Sequence, residues 1–304
     1  MLNTLRAVSV GSLALRALSR CGSVVAGTVV NTFANSFYAR TGKDELLFFT
    51  NHSIRSPVTV NLDAKSDLEK LVTPLQPITI KGKQILIGTD TTITLDAALL
   101  YDDTTEQSSE LNLDFSMIRK SFRIVSVILE IIDTSQSVLD PHSIAHNSLV
   151  EFASDAVMSL LRPGGEERFC KVALRIVGLG SGFTPSGDDT LGGFLAVYNS
   201  FASAIGRAPI LLDLHAIEER TSWISAKLLD HMQHLILDEQ VRDLTDSVTD
   251  EDELVLAFES LLPRGHTSGI DISVGAILAL GLIHDISLNE RRTRTIADEL
   301  GLSS

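Results

Sequence analysis

Basic charge, cysteine and aromatic side chains are all scarce, and each shortage excludes something. Lys and Arg number 25 against 39 Asp and Glu, a formal net charge of −14. That balance repels a phosphate backbone, and the cluster Arg291, Arg292 and Arg294 is too short to reverse it. The two cysteines, Cys21 and Cys170, stand far apart. They argue for free or buried thiols rather than a disulfide framework or a thiolate metal site. Aromatics are 5% of the chain, so aliphatic side chains must fill most of the core. Acidic residues are absent before Asp44, while Arg6, Arg16, Arg20, Arg40 and Lys43 precede it. "LRAVSVGSLALRALSR" lacks the continuous apolar stretch and small-residue cleavage site of a secretory signal, and is expected to form a first helix. The longest apolar run, "VGAILALGLI" from Val274, is too short to span a bilayer. A cytoplasmic location is expected.

What is present changes texture along the chain. "GSVVAGTVVNTF", "ELLFFTNH" and "SPVTVNLD" are β-branched or aromatic runs separated by polar punctuation. "ITIKGKQILIG" predicts a hairpin turning at Lys81-Gly82-Lys83, with a further strand in "TTITLD". The acidic stretch Tyr101 to Glu110 marks a boundary. Beyond it Phe115, Ile118, Phe122, Val125 and Leu129 fall at helical spacing, and "SIAHNSLVEFASDAVMSLL" stays helical until Arg162-Pro163-Gly164-Gly165. Phe169, Val172, Ala173, Ile176 and Val177 form one stripe, predicting a helix ended by Gly178 or Gly180. Further helices are expected at "LLDLHAIEERTSWISAKLLDHMQHLI", "DELVLAFESLL" and "SVGAILALGLIHD". The expected class is α+β: a β-rich domain over residues 1–110, with an N-terminal helix, then a largely helical domain over 111–304.

Chemistry concentrates in "GLGSGFTPSGDDTLGGFLAVYNS", from Gly178. No lysine follows its glycines as a Walker loop needs, and Gly178, Gly180 and Gly182 alternate instead of taking dinucleotide spacing. A second copy strengthens the signal. Ser186-Gly187-x-Asp189-x-x-x-Gly193 recurs as Ser268-Gly269-x-Asp271-x-x-x-Gly275, with Thr184 after Gly182 matched by Thr267 after Gly265. Helix capping explains part of this, with Ser186 and Ser268 as N-caps and Asp189 and Asp271 completing capping boxes. It leaves the flanking glycines, the repetition and Asp188 unexplained. A pair of loop-to-helix junctions accounts for them: exposed N–H groups and dipole ends suit an anion, and Gly193 and Gly275 let two helices approach. Close carboxylates then require either a cation such as Mg²⁺, on Asp188 and Asp189, or a shared proton for acid–base work.

The motifs G-x-G-F-T-P-S-G-D-D-x-L-G-G and G-H-T-S-G-x-D resemble those of a bacterial family catalogued as a domain of unknown function. That family includes the AllH-type subunit of oxamate carbamoyltransferase, from anaerobic allantoin breakdown. The resemblance implies phosphorolysis of oxalurate to oxamate and carbamoyl phosphate, in an assembly with an FdrA-like subunit and a further partner. Its motif residues fall on Gly182, Thr184, Ser186, Gly187, Asp188, Asp189, His266, Thr267, Ser268, Gly269 and Asp271, with Phe183 where the family has Leu. The expected acid–base residues are Asp188, Asp189, Asp271 and His266; the glycines and hydroxyls would bind substrate. The alternatives are a non-catalytic anion-binding or scaffold subunit, or another transferase or ligase of the family. Homo-oligomerisation is allowed by either.

Other candidates have plainer readings. His266 suits an oxyanion contact or a packed loop position, and Arg264 a carboxylate clamp or a surface site. His231 and His234 lack an H-E-x-x-H context and are expected on a solvated helix face. His52 and Arg55 end a predicted strand. Ser186 as a nucleophile with His266 as base is the weakest reading, because Gly-Asp-Asp after it suits a cap better than an oxyanion hole.

Overall fold

The computed structural model describes residues 3–20, 25–65, 67–102, 120, 123, 127, 133–162 and 164–287. It is α+β, with two compact units, Met1–Glu106 and Gln107–Ser304. Cys21, most of the Tyr101–Glu110 stretch, most of the helix expected across 115–129, Pro163 and the arginines from Arg291 lie outside the described residues.

The first unit has nine strands: β1 (Asn3–Gly11), β2 (Val25–Phe33), β3 (Ser36–Thr41), β4 (Leu46–Thr50), β5 (Thr59–Asp63), β6 (Pro77–Lys81), β7 (Gln84–Ile87), β8 (Thr91–Thr94) and β9 (Leu99–Tyr101). Their order is β5-β4-β3-β2-β6-β7-β8-β1-β9, and a further β1–β5 pairing closes the first eight into a barrel. Closure removes the open edges that would otherwise invite aggregation. Strand β1 makes it possible by serving both sides. Its start runs parallel to β8 and its end parallel to β9, while Arg6 to Val10 pair antiparallel with β5. The barrel interior is aliphatic with one stacked aromatic pair, Phe37 on Phe49, ring centroids 4.4 Å apart. The hairpin at Gly82 forms as its sequence predicts, with Lys81 paired to Gln84.

The N-terminal segment is a correction. A strand comes first, and helix α1 (Ser12–Ser19) occupies only the second half of the expected helical stretch. Leu5 and Ala7 alternate with exposed neighbours, a period of two that a helical reading of "LRAVSVG" overlooks. Strand β3 was not expected either.

In the second unit, α2 (Ile144–Glu151) runs into a π-helical turn at Phe152–Val157, followed by α3 (Glu166–Ala173), α4 (Ser186–Phe201), α5 (Leu214–Glu218), α6 (Trp223–Gln233), α7 (Glu239–Asp246), α8 (Glu251–Leu261) and α9 (Ser268–Ser287). Helix α7 is not foreshadowed by the apolar pattern. Several of the scarce aromatics gather where α4 is held: Phe152, Phe169, Phe194 and Tyr198 pack ring on ring at 5.1–5.8 Å. The stripe on α3 is helical as expected, but the α-helix stops at Ala173 and tight turns carry the chain to Gly178. The apolar run from Val274 belongs to a longer helix than expected. By length and composition α9 is apolar enough to cross a membrane, yet Gly269 to Asp285 are buried within the helical unit, as in a core helix.

Candidate functional site: twin helix junctions

Helices α4 and α9 pack at backbone contact. A Cβ on Gly193 would lie 2.1 Å from the Ile272 carbonyl oxygen, and one on Gly275 1.8 Å from that of Thr190. Thr190 and Ile272 hold the same place in the two sequence copies, as do the glycines. The contact is therefore an exchange about a local two-fold axis. The same holds behind each junction, where Gly187 closes on the carbonyl of Ile176 and Gly269 on that of Leu261. Ile176 and Leu261 follow α3 and end α8, so the repeated unit is larger than the motif: helix, loop and long helix, twice. The Gly187 N–H is used by the Leu179 carbonyl and the Gly269 N–H by that of Arg264. These amides brace the loops.

The geometry revises two local expectations. Ser186 is the first residue inside α4; Pro185 holds the cap position with no side-chain cap hydrogen bond, so the capping box does not form. Equivalence between the loops also shifts, because Gly180 lies against Ser186 as Gly265 lies against Ser268. Three extra residues in the first loop displace Gly182 outward. Gly180 and Gly182 have φ of 114° and 108°, a left-handed backbone in which other residues are strained.

The neighbouring aspartates diverge. Asp188 is buried and faces away from the junction: the Gly178 N–H donates to Oδ1 at 2.7 Å, while Thr221 and Ser225 hydroxyls donate to Oδ2 at 2.5 and 2.6 Å. Burial pushes its pKa up, opposed by Ser225, Thr221 and Gly178. Asp188 thus ties the loop to α6, and Asp188 and Asp189 present no common face to an ion. Among the described residues no group of three or more His, Cys, Asp or Glu is placed to hold a metal.

Asp189 lies within electrostatic range of Asp271, and a hydroxyl contact joins the two copies beside it. The Thr184 hydroxyl donates to Asp189 Oδ2 at 2.9 Å and meets the Ser268 hydroxyl at 3.2 Å, bridging the copies. Burial of its carboxyl pushes Asp189 up to about 7; Ser268, Thr184 and the Arg264 charge oppose this, and Asp271 adds to it. The residue as a whole keeps partial exposure. Asp271 is sealed in, at 0% exposure. The Val138 N–H donates to its Oδ1 at 2.7 Å from a loop 133–143 that the sequence did not mark, and that loop is held in turn by His146 Nδ1 at the Val138 carbonyl. Burial raises Asp271 to about 6, against Val138, Ser186 and Thr267. Oδ2 of Asp271 and Oγ of Ser186 are both buried and without a hydrogen-bond partner. The hydroxyl is near enough to depress the carboxyl pKa but not placed to bond it.

Of the remaining candidates, His266 is exposed on the second loop, near Asp133. Arg264 is ion-paired to Asp238 at 2.5 Å and contributes its charge to Asp189. His231 is not solvated as expected: burial lowers it to about 4, and only His234 stands exposed, against Asp230. In the barrel, Asn61 holds the His52 carbonyl at 2.8 Å, and the Arg55 guanidinium lies 5.3 Å from the Tyr101 ring centre.

The arrangement is a carboxyl from each of two duplicated helix starts, at the foot of two glycine loops. The family model described as oxamate carbamoyltransferase subunit AllH matches residues 176–280, about a third of the chain and the span that carries both junctions. No curated protein and no solved structure matches the chain.

Proposed function

We propose that this protein is a subunit of a carbamoyl-transferring enzyme that takes a small anion between the two glycine loops. The observation that carries the reading is the coincidence of two independent spans. The AllH match begins just before the first junction and ends just after the second. Within it lie Asp189 and Asp271, whose pKa values are both raised toward neutrality. The proposed reaction is oxalurate plus phosphate to oxamate plus carbamoyl phosphate, in allantoin breakdown. A phosphate oxygen bonds to the carbamoyl carbon, the bond from that carbon to the amide nitrogen breaks, and the proton leaving phosphate ends on that nitrogen. A carboxyl poised near neutrality suits such a proton transfer. The exposed backbone of Gly180 to Gly182, with His266 and Thr267 opposite, would receive the anion, and Asp189 is the carboxyl that reaches it. Partners would be an FdrA-like subunit and a further carbamoyltransferase subunit.

The test is co-expression with the products of neighbouring genes and assay of carbamoyl phosphate formed from oxalurate and phosphate, with and without Mg²⁺. Turnover by the assembly, lost at least 100-fold in Asp189→Asn with the assembly intact, is expected. An assembly that turns over oxalurate unchanged by Asp189→Asn assigns the chemistry to the partners and leaves this chain a binding or scaffold subunit. An intact assembly inert toward oxalurate overturns the substrate.

A further inference from the structure

The two junctions are copies, yet their carboxyls are covered differently. In the second, the loop 133–143 reaches the start of α9: the Val138 N–H donates to Asp271 Oδ1 at 2.7 Å, and Asp271 is 0% exposed. Ser268, at the head of the same helix, is engaged with Thr184 at 3.2 Å. In the first, Asp189 holds the equivalent place on α4 and keeps partial exposure. Thr184 bonds its Oδ2 at 2.9 Å, and among the described residues no hydrogen bond reaches its Oδ1. Ser186, the equivalent of Ser268, is 0% exposed and its Oγ has no hydrogen-bond partner. We propose that the first junction recognises an amide-type group, with Asp189 Oδ1 accepting the ligand's N–H and Ser186 Oγ donating to its carbonyl oxygen. The proposal rests on the reading above, that a small ligand enters between the glycine loops, and names the part of it that Asp189 holds.

Three observations carry it. The first is equivalence: Gly193 and Gly275 seat the two helices against each other by the same contact, so the carboxyls four residues before them hold like positions. At the second, the group that bonds the carboxyl is a neutral peptide N–H, supplied by the chain itself. The first has no such group from the chain. The second observation is an unspent donor and acceptor on one helix face. Ser186 and Asp189 are three residues apart on α4, which makes their side chains neighbours, with Cβ atoms about 5–6 Å apart. A hydroxyl left unbonded in the interior is costly. An amide supplies both complements from one planar group: N–H for the carboxylate and a carbonyl oxygen for the hydroxyl. An ammonium group would satisfy Asp189 but bring no acceptor to Ser186, and a carboxylate or phosphate would bring acceptors only and set its charge against Asp189. The third observation is the rim. Gly180 lies over Ser186, where a Cβ would fall 3.1 Å from Oγ, and Gly180, Ser181 and Gly182 are exposed. A ligand that carries both an amide and an anionic group, as oxamate does, would set the anion on these loop amides and the amide on Asp189.

The experiment is calorimetric titration at pH 8, where Asp189, pushed up to about 7 by burial, is ionised. The full-length chain, alone and in the co-expressed assembly, is titrated with oxamate, with N,N-dimethyloxamate, which keeps the carbonyl and carboxylate but has no N–H, and with methylammonium. Wild type should bind oxamate about tenfold or more tightly than its dimethyl analogue, the loss expected when a charged acceptor is left unpaired. Asp189→Leu should abolish that preference. Ser186→Ala should weaken both oxamates several-fold and keep the preference, since both carry the carbonyl oxygen; this arm decides the matter if Asp189→Leu does not fold. Equal binding of the two oxamates by wild type, or binding of neither, overturns the proposal. So does a preference that survives in folded Asp189→Leu, which would assign it to the bulk of the methyl groups. Methylammonium binding more tightly than oxamate overturns it in favour of a cation site. No probe is turned over by itself, so the two readings fail separately. An assembly active on oxalurate without an N–H preference refutes this inference alone, and an N–H preference in an assembly inert toward oxalurate refutes the reaction alone.

Discussion

The junction at Ser186 and the junction at Ser268 share a backbone plan and differ in how each is anchored. In the first, Asp188 collects a loop amide and two hydroxyls of the α6 region; in the second the same position is Ile270, packed in the apolar interior. The second loop is instead held from outside, through the ion pair of Arg264 with Asp238 at the start of α7. The contrast separates two kinds of residue. Gly193 and Gly275, which match between copies, meet the other copy at the axis, whereas Asp188 and Ile270, which differ, attach each copy to its own surroundings. Asp188, at the centre of the most conspicuous motif, belongs to the second kind.

The largest effects should come from breaking the symmetric contact. Gly193→Ala and Gly275→Ala each drive a methyl into a backbone carbonyl that cannot rotate away, so each should lose more than about 3 kcal/mol, or fail to fold, in urea denaturation. Gly192→Ala is the sharpening control. Its Cβ would press only on side chains, chiefly Sδ of the flexible Met232, with Leu229 Cδ1 at ordinary contact distance, and about 1 kcal/mol or less is expected. A Gly275 variant as tolerant as Gly192→Ala would break the proposed two-fold contact.

Next comes the anchor. Asp188→Ala leaves three donors in the interior without an acceptor and should lose roughly 3 kcal/mol in the same measurement. Ile270→Ala should cost about 2–4 kcal/mol, through lost burial. The mechanisms differ in a readable way: double variants of Asp188 with Thr221 should be far from additive, while Ile270 and Thr221 should add.

Much of this is legible in the sequence itself. The strands β2, β4 and β5 announce themselves by β-branched or aromatic runs between polar residues, and the β6–β7 hairpin by the glycine at its turn, signals that neighbours in sequence are enough to generate. The repeat was legible for a related reason: a glycine at each close helix contact and a carboxyl one turn earlier must recur if the contact recurs. Barrel closure was not legible, since β1 and β5 meet across half a unit and β1 changes partner midway. Nor were the partners of the aspartates. Val138 reaches Asp271 from a loop of undistinguished composition, and Thr221 and Ser225 reach Asp188 from a different helix. The capping box shows local pattern overruled: Pro185 takes the cap position, which frees Ser186 to face the other copy.

That freed hydroxyl gives the smallest effect and the finest comparison. Ser268 bonds Thr184 at 3.2 Å, so Ser268→Ala should cost about 1 kcal/mol by removing a made hydrogen bond. Ser186 Oγ has no partner, so Ser186→Ala should change stability at pH 5 by less than about 0.5 kcal/mol. The serines should part again as pH rises. The Ser186 hydroxyl holds Asp271 down, so losing it raises that carboxyl further and extends the pH range over which stability falls. Ser268 does the same for Asp189. Both variants should therefore lose more than wild type between pH 6 and 8 in thermal unfolding, with only Ser268→Ala already weakened at pH 5. If Ser186→Ala tracked wild type at every pH, the crossed contact with Asp271 would be absent and the two-fold relation would stop at the glycines.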